Sequence, residues 1–184
     1  MKEIALHLLD IVQNSVTAGA DHVYITFDLA EDGMLSMLVK DDGCGMSKEF
    51  LEKVRSPFTT TRSTRKVGLG IPLLMQNAML SGGDVQIESE PGKGTEITAR
   101  FGTGSIDCLP LGDLASTMAS IIMGSPEHPE FSLTCRSPKG EMCFSTEEIR
   151  PVLDGVSLAE PGVVQWIKES LEEEITPILG GIML

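Results

Sequence analysis

Apolar residues recur at helical spacing through the first eighteen positions. Ile4, Ala5, Leu8, Leu9, Val12 and Val16 fall on one side at about 3.6 residues per turn, and His7, Asp10, Asn14 and Thr17 on the other. The pattern predicts an amphipathic helix from Lys2 to Ala18 with a narrow polar stripe. The period then changes to two. Val23, Ile25 and Phe27 alternate with Tyr24, Thr26 and Asp28, which predicts a half-buried strand over Asp21–Leu29. Glu31-Asp32-Gly33 reads as a hairpin turn, and Met34–Val39 as the returning strand. Ser47 precedes a short helix ending near Arg55, and an apolar helix covers Ile71–Leu80. Ser81-Gly82-Gly83 breaks it. Strands follow over Asp84–Glu90 and Thr95–Phe101, joined by Pro91-Gly92-Lys93-Gly94.

Beyond Ser105–Pro110, which reads as a linker, the pattern predicts a helix over Leu111–Met123 and a hairpin of Phe131–Cys135 with Glu141–Phe144. Ser145-Thr146-Glu147-Glu148 is a capping signal for a helix from about Glu147 to Leu153. Pro161 opens another, from about Gly162 to Glu174. The tail from Ile175 to Leu184 is apolar enough to be packed or to form a partner surface. The division expected is residues 1–104 as one domain and 105–184 as a small helix–hairpin–helix–helix module for docking or dimerisation. The strand ending at Phe101 is expected to close the sheet, so that the first domain keeps its pocket without the second.

The polar stripe of the first helix lacks the Lys and Glu of an ordinary solvated face. Asp, Asn, His and Thr are poorer helix formers and better ligand groups. The Asn14 amide oxygen suits Mg2+, and a carboxylate one turn away, Asp10, can orient or deprotonate a water. The returning strand runs into Asp41-Asp42-Gly43-Cys44-Gly45-Met46, where two glycines allow close backbone approach and a buried Asp can accept from an exocyclic amine. Pro57 to Lys66 is hydroxyl-rich and basic, without periodicity. With Gly68-Leu69-Gly70 opening the next helix, it favours a phosphate chain at a helix start. Plain alternatives exist for each: a solvated helix face, a glycine-rich turn and an ordinary surface loop.

Composition narrows the classes. The net charge is −13, of which residues 105–184 carry −9. That balance, with a single Trp and a single Tyr, opposes nucleic-acid binding, because phosphates would be repelled and stacking platforms are missing. Cys44, Cys108, Cys135 and Cys143 show no paired metal spacing and read as reduced thiols. No apolar run is long enough to cross a membrane, and no signal peptide is apparent. The expected setting is cytoplasmic.

In this order, the motifs resemble those of the GHKL ATPase superfamily, which includes gyrase B, the heat-shock chaperone ATPases, histidine kinases and MutL. Leu9-Asp10-Ile11-Val12-Gln13-Asn14-Ser15 resembles the N box, and the adjoining Ala18-Gly19-Ala20 is similar to the MutL version. Asp41 through Met46 resembles the G1 box. Phe58-Thr59-Thr60-Thr61-Arg62 through Gly68-Leu69-Gly70 resembles the F and G2 boxes, closest to histidine kinases and anti-sigma factor kinases. Gly94-Thr95 resembles the G3 position. The resemblance implies a Bergerat-type ATP-binding fold, an α+β sandwich of mixed sheet with helices on one face, extended here by a small C-terminal α+β segment. It implies ATP and Mg2+ as ligands. Asn14 would ligate the metal, and Asp41 would receive the adenine amine with help from Thr95. Gly43, Gly45 and Met46 would shape the adenine side. Phe58, Thr59, Thr60, Thr61, Arg62 and Lys66 would belong to a short lid, and Gly68, Leu69 and Gly70 would face the phosphates.

Asp10 stands where hydrolysing members such as MutL carry Glu and histidine kinases usually carry Asn. Thr17 stands where histidine kinases often have a basic residue. The chain starts almost on the N-box helix, without the helical hairpin that bears the phosphoacceptor histidine of a sensor kinase. Autophosphorylation on histidine is therefore not expected. Three activities follow as expectations: a slow ATPase switch with Asp10 as base, a protein kinase of the anti-sigma type, and a nucleotide sensor without turnover. A protein partner or a second copy would bind through residues 105–184.

Overall fold

The structure, a computed structural model, describes residues 2–55 and 70–182. Helix α1 (Ile4–Thr17) leads into the hairpin β1 (His22–Leu29) and β2 (Met34–Asp41), then α2 (Lys48–Arg55) and α3 (Gly70–Leu80). Strands β3 (Val85–Glu90) and β4 (Gly94–Gly102) follow. The C-terminal part adds α4 (Leu114–Gly124), β5 (Glu130–Ser137), β6 (Gly140–Ser145), α5 (Thr146–Ile149), α6 (Pro161–Leu179) and a 3-10 turn at Gly180–Ile182.

The six strands form one sheet in the order β3-β4-β2-β1-β5-β6. All neighbours are antiparallel except β1 and β5, which run parallel with Ile25 opposite Leu133. The alternation read from the sequence sets the two faces. Val23, Ile25, Phe27, Leu35, Met37, Val39, Ala99, Phe101, Phe131 and Leu133 are all buried. Their neighbours Tyr24, Lys40 and Cys143 are exposed. The helices pack on the buried side, with α1 against α3 and α4, and α4 against α6. This is the α+β sandwich expected from the sequence, a mixed sheet with its helices on one face.

The sheet does not end at Phe101. Strand β4 lies between β3 and β2, and the sheet grows past β1 through β5 and β6. A free β1 edge would present unpaired backbone groups, and β5 pairs them. Residues 105–184 therefore share both the sheet and the core with residues 2–104. Leu114, Met118, Ile122, Ile167, Leu171 and Ile175 belong to the same buried cluster as Ile4, Leu8 and Phe27. The stretch read as a linker also works as a cap. Pro110 O accepts from Ile4 N (3.0 Å) and Leu111 O from Ala5 N (2.9 Å), while Leu111 N donates to Ile182 O (3.1 Å). First-turn N–H groups of α1, which have no intrahelical acceptor, are satisfied from the C-terminal part of the chain.

Two predicted helices end several residues away from their expected ends. The helix expected to run to Leu153 is only the single turn α5, and Ser145 provides no side-chain cap. Thr146 is used instead for packing. Its buried hydroxyl accepts from Phe131 N (2.8 Å) and donates to Glu130, whose other oxygen accepts from Arg150 Nε. Asp154, at φ 48°, takes the chain out of helical geometry. Helix α6 instead runs past its expected end, through Pro177 to Leu179. Burial of Ile175, Ile178 and Leu179 outweighs the hydrogen bond that the proline removes. Glu160 caps its start, accepting from Gly162 N (2.6 Å) and Val163 N (3.3 Å).

Candidate functional site

The polar stripe of α1 divides in the fold. Asp10, Asn14 and Thr17 are exposed, whereas His7 is 1% exposed. Asn77 Nδ2 on α3 donates to His7 Nε2 (2.8 Å), which places the ring proton on Nδ1, without a partner among the described residues. Burial pushes the His7 pKa down, aided by the positive N-terminus and opposed by Asp10. The Thr17 hydroxyl is turned back onto its own helix, donating to Gln13 O (2.8 Å). Asp10 lies against Gly70, the first residue of α3, where an added Cβ would come 3.0 Å from Asp10 Oδ2. One N-box carboxylate and the start of the helix expected to face phosphates therefore meet directly. Asn14 presents a single amide oxygen from the exposed side of α1, a donor set suited to a cation that keeps most of its waters.

Asp41 ends β2 directly opposite Thr95 of β4 and is 7% exposed. Three groups hold its carboxylate. Oδ1 accepts from Gly43 N (3.0 Å) and Thr95 N (3.3 Å), and Oδ2 accepts from Ser15 Oγ (2.7 Å). A buried carboxylate so provided for stays in place, and its remaining lone pair can take one more donor. The cleft beside it, of ≈ 470 Å³, is lined by Asp41, Ser89, Gly94, Thr95, Leu51 and Arg55 among others. Arg55 reaches Ile87 O, which ties the end of α2 to β3 along this cleft.

Two glycines, Gly45 of the G1 box and Gly94 at the start of β4, have an intramolecular role before any ligand enters. Gly45 has φ +66°, and a Cβ there would lie 2.0 Å from Glu90 O. Gly94 has φ +98°, and its Cβ would lie 1.9 Å from Asp41 O. Neither position admits a side chain. The G1 loop is thereby zipped to the β3–β4 hairpin. Gly92 N donates to Cys44 O (2.8 Å), and Met46 N donates to Ser89 Oγ (2.8 Å). Cys44 N donates to Ala18 O (3.0 Å), fixing the loop to the end of α1.

Of the predicted site residues, the fold brings together Asp41, Gly43, Gly45, Met46 and Thr95 in one cluster, and Asp10 and Gly70 in another, with Asn14 next to Ser15 between them in sequence. Phe58, Thr59, Thr60, Thr61, Arg62, Lys66, Gly68 and Leu69 lie outside the described residues. Three contributors went unread in the sequence. Ser15 sits on the apolar side of α1, one turn after Ile11, and a buried hydroxyl there was the available signal. Ser89 is paired with Thr95 across the β3–β4 ladder, which only the register reveals. Asp42 locks the start of β1: Oδ1 accepts from Asp21 N (2.7 Å) and His22 N (2.9 Å), and Oδ2 lies 3.0 Å from His22 Nδ1. That contact raises the His22 pKa. Partial burial alone would raise the Asp42 carboxyl, but its N–H donors and the His22 ring outweigh this and hold it below the usual range.

Known proteins resemble this chain over about half of its length. An uncharacterised sensor-like histidine kinase of Chloroflexus aurantiacus is 33% identical over 96 residues, covering 50% of this chain and 15% of its own. Sporulation kinase C of Bacillus subtilis is 32% identical over 88 residues, 47% of this chain and 20% of its own. The histidine protein kinase DivJ of Caulobacter vibrioides is 34% identical over 105 residues, 55% of this chain and 17% of its own. The chain thus spans a fifth or less of the length of these relatives. A solved N-terminal domain of a DNA repair protein superposes with a TM-score of 0.54 at 15% identity, over 79% of this chain and 53% of its own, a likeness of fold. Residues 2–104 match the family described as histidine kinase-, DNA gyrase B-, and HSP90-like ATPase, and the chain belongs to that family.

Proposed function

We propose that this protein binds Mg-ATP between α1, the G1 loop and the β3–β4 hairpin, and uses the γ-phosphate to regulate a protein partner. The observation that carries the reading is the Asp41 carboxylate, buried, held by three donors and opposite Thr95 at the wall of a cleft. Its spare acceptor capacity matches an exocyclic amine. Asn14 would hold the metal through its amide oxygen, with waters and phosphate oxygens completing the shell. The bound metal would neutralise phosphate charge. Asp10, which lies against the start of α3, would orient a water or a partner's hydroxyl and take its proton. Its side chain is one methylene shorter than Glu, which fits slow turnover.

Transfer to a partner is favoured over simple hydrolysis by the kinases among the relatives. Residues 105–184 are the proposed contact region, for a partner protein or a second copy. Trp166 is exposed on α6 with Glu169 and Glu173 at helical spacing. A reducing, cytoplasmic setting fits the four free cysteines, and no helix among the described residues is long and apolar enough to cross a membrane.

The deciding experiment uses ATP labelled on its γ-phosphate, with and without copurifying proteins, following free phosphate and labelled protein together. Asp10→Asn is expected to keep ATP binding and lower release or transfer by about 10²–10⁴-fold. Wild type that binds ATP yet yields neither product with any partner would leave a nucleotide sensor instead.

A further inference from the structure

Ser89 makes three polar contacts with one hydroxyl. It accepts from Met46 N (2.8 Å), lies 3.0 Å from Gly94 O and lies 2.9 Å from Thr95 Oγ1. A carbonyl can only accept, so the bond to Gly94 O consumes the single Ser89 proton. The contact with Thr95 is then a hydrogen bond only if Thr95 donates. Ser89 Oγ thus receives two protons and gives one, which satisfies its whole capacity. Thr95 Oγ1, with its own proton committed to Ser89, is left with lone pairs alone.

Beside it, Asp41 is an acceptor by nature. Its occupied sites are filled by Gly43 N, Thr95 N and Ser15 Oγ. Both groups are in the lining of the same cleft, as is Ser89. We propose that Ser89 is a specificity-determining positioning residue: by holding the Thr95 proton it makes this wall of the cleft acceptor-only, and so selects a 6-amino purine over a 6-oxo purine. This rests on the nucleotide-site reading above. Adenine presents an N6 amine that donates, whereas guanine and hypoxanthine present an O6 acceptor. An O6 atom would meet lone pairs and leave buried groups unpaired, the situation that gives hydrogen-bonding sites their discrimination. Without Ser89, the Thr95 hydroxyl can rotate and donate to an O6 acceptor, and Asp41 alone is left to oppose a 6-oxo purine.

The sequence position is consistent with the task. Ser89 pairs with Thr95 across the ladder, and Thr95 pairs with Asp41 across the next. The three residues form a row across adjacent strands, so the hydroxyl orientation is set by sheet register and not by a mobile side chain.

The test is equilibrium binding of ATP and ITP, which differ at purine position 6, to the full chain carrying Ser89→Ala, Thr95→Val or both, with Mg2+ throughout. Wild type is expected to favour ATP. Ser89→Ala is expected to narrow the ATP:ITP affinity ratio by roughly tenfold, the scale of one buried hydrogen bond. In the Thr95→Val background the same change is expected to leave the ratio unaltered, because Ser89 acts through Thr95. If Ser89→Ala does not fold, Ser89→Cys replaces it, since a thiol is a weak donor and acceptor. An unchanged ratio, an equal loss for both nucleotides, or the same narrowing without the Thr95 hydroxyl would each overturn the proposal and reduce Ser89 to a support of the G1 loop. Wild type binding ATP and ITP alike would overturn it too, with the nucleotide site intact. Wild type binding neither would instead remove the nucleotide reading itself, and this proposal with it.

Discussion

Two histidines carry opposite electrostatic signs. His7 is buried and its pKa is lowered from 6.5 chiefly by desolvation. The unfolded chain takes up the proton first, so the His7 contribution is present above about pH 6.5 and is lost as pH falls through the lowered value. His22 is raised from 6.5, chiefly by its bond to Asp42. Its contribution is full below pH 6.5 and is lost as pH rises through the raised value. The His22 side chain is 40% exposed, so its share is the smaller. His7→Gln is expected to flatten the acid side of a plot of melting temperature against pH. His22→Gln should leave that side alone, and identical acid limbs for wild type and His7→Gln would refute the first assignment. The same scale governs Asp41. Ser15→Ala removes one of three donors from a buried carboxylate, at an expected cost of about 1.5–3 kcal/mol, read as a lower urea midpoint. Asp41→Asn is expected to weaken ATP binding by about 1–3 kcal/mol while the protein stays folded. Unchanged affinity would take Asp41 out of the adenine role.

At the scale of elements, the contact between the G1 loop and the β3–β4 hairpin builds the site. Gly45 and Gly92 both have positive φ, +66° and +76°, but only Gly45 has a neighbour in the space of a Cβ. Gly92→Ala is therefore expected to cost only the backbone term, about 1–2 kcal/mol. Gly45→Ala adds a collision with the Glu90 carbonyl, and the hairpin has to move away, taking Ser89 and Thr95 with it. Thermal unfolding should rank the two variants, and ATP titration should show the loss for Gly45→Ala alone. Equal effects on both measures would mean that the close approach is dispensable.

The whole molecule is organised by one sheet and one core. Strand β5 covers β1, α4 packs beside α1, and Pro110 and Leu111 cap the first turn of α1. Each fully buried apolar side chain contributes about 1.5–3 kcal/mol. Removing residues 105–184 uncovers enough of α1 and β1 to exceed a global stability on the order of 5–15 kcal/mol. A chain cut after Gly104 is accordingly expected to show no cooperative melting transition. A sharp transition with undiminished ATP affinity in that truncation would establish residues 2–104 as an independent unit.

The amino-acid sequence by itself determined the elements and their faces, because periods of 3.6 and two report burial directly. It also determined the family, since N, G1 and G3 boxes are local strings whose chemistry depends on near neighbours. Asp41 at a strand end and Asp10 with Asn14 one turn apart were legible for that reason. What tertiary structure alone decided is which strands become neighbours. The parallel pairing of β1 with β5 joins residues more than a hundred positions apart, and no periodicity encodes a partner at that separation. That pairing merged the C-terminal segment into the sheet and turned a presumed linker into a helix cap. The same reason hid Ser89, whose importance lies in standing opposite Thr95, and Ser15, whose hydroxyl matters only once α1 crosses the end of β2. His7 shows the converse: its place in the polar stripe was correct along the helix, but α3 covers that turn, so a polar position became a buried one.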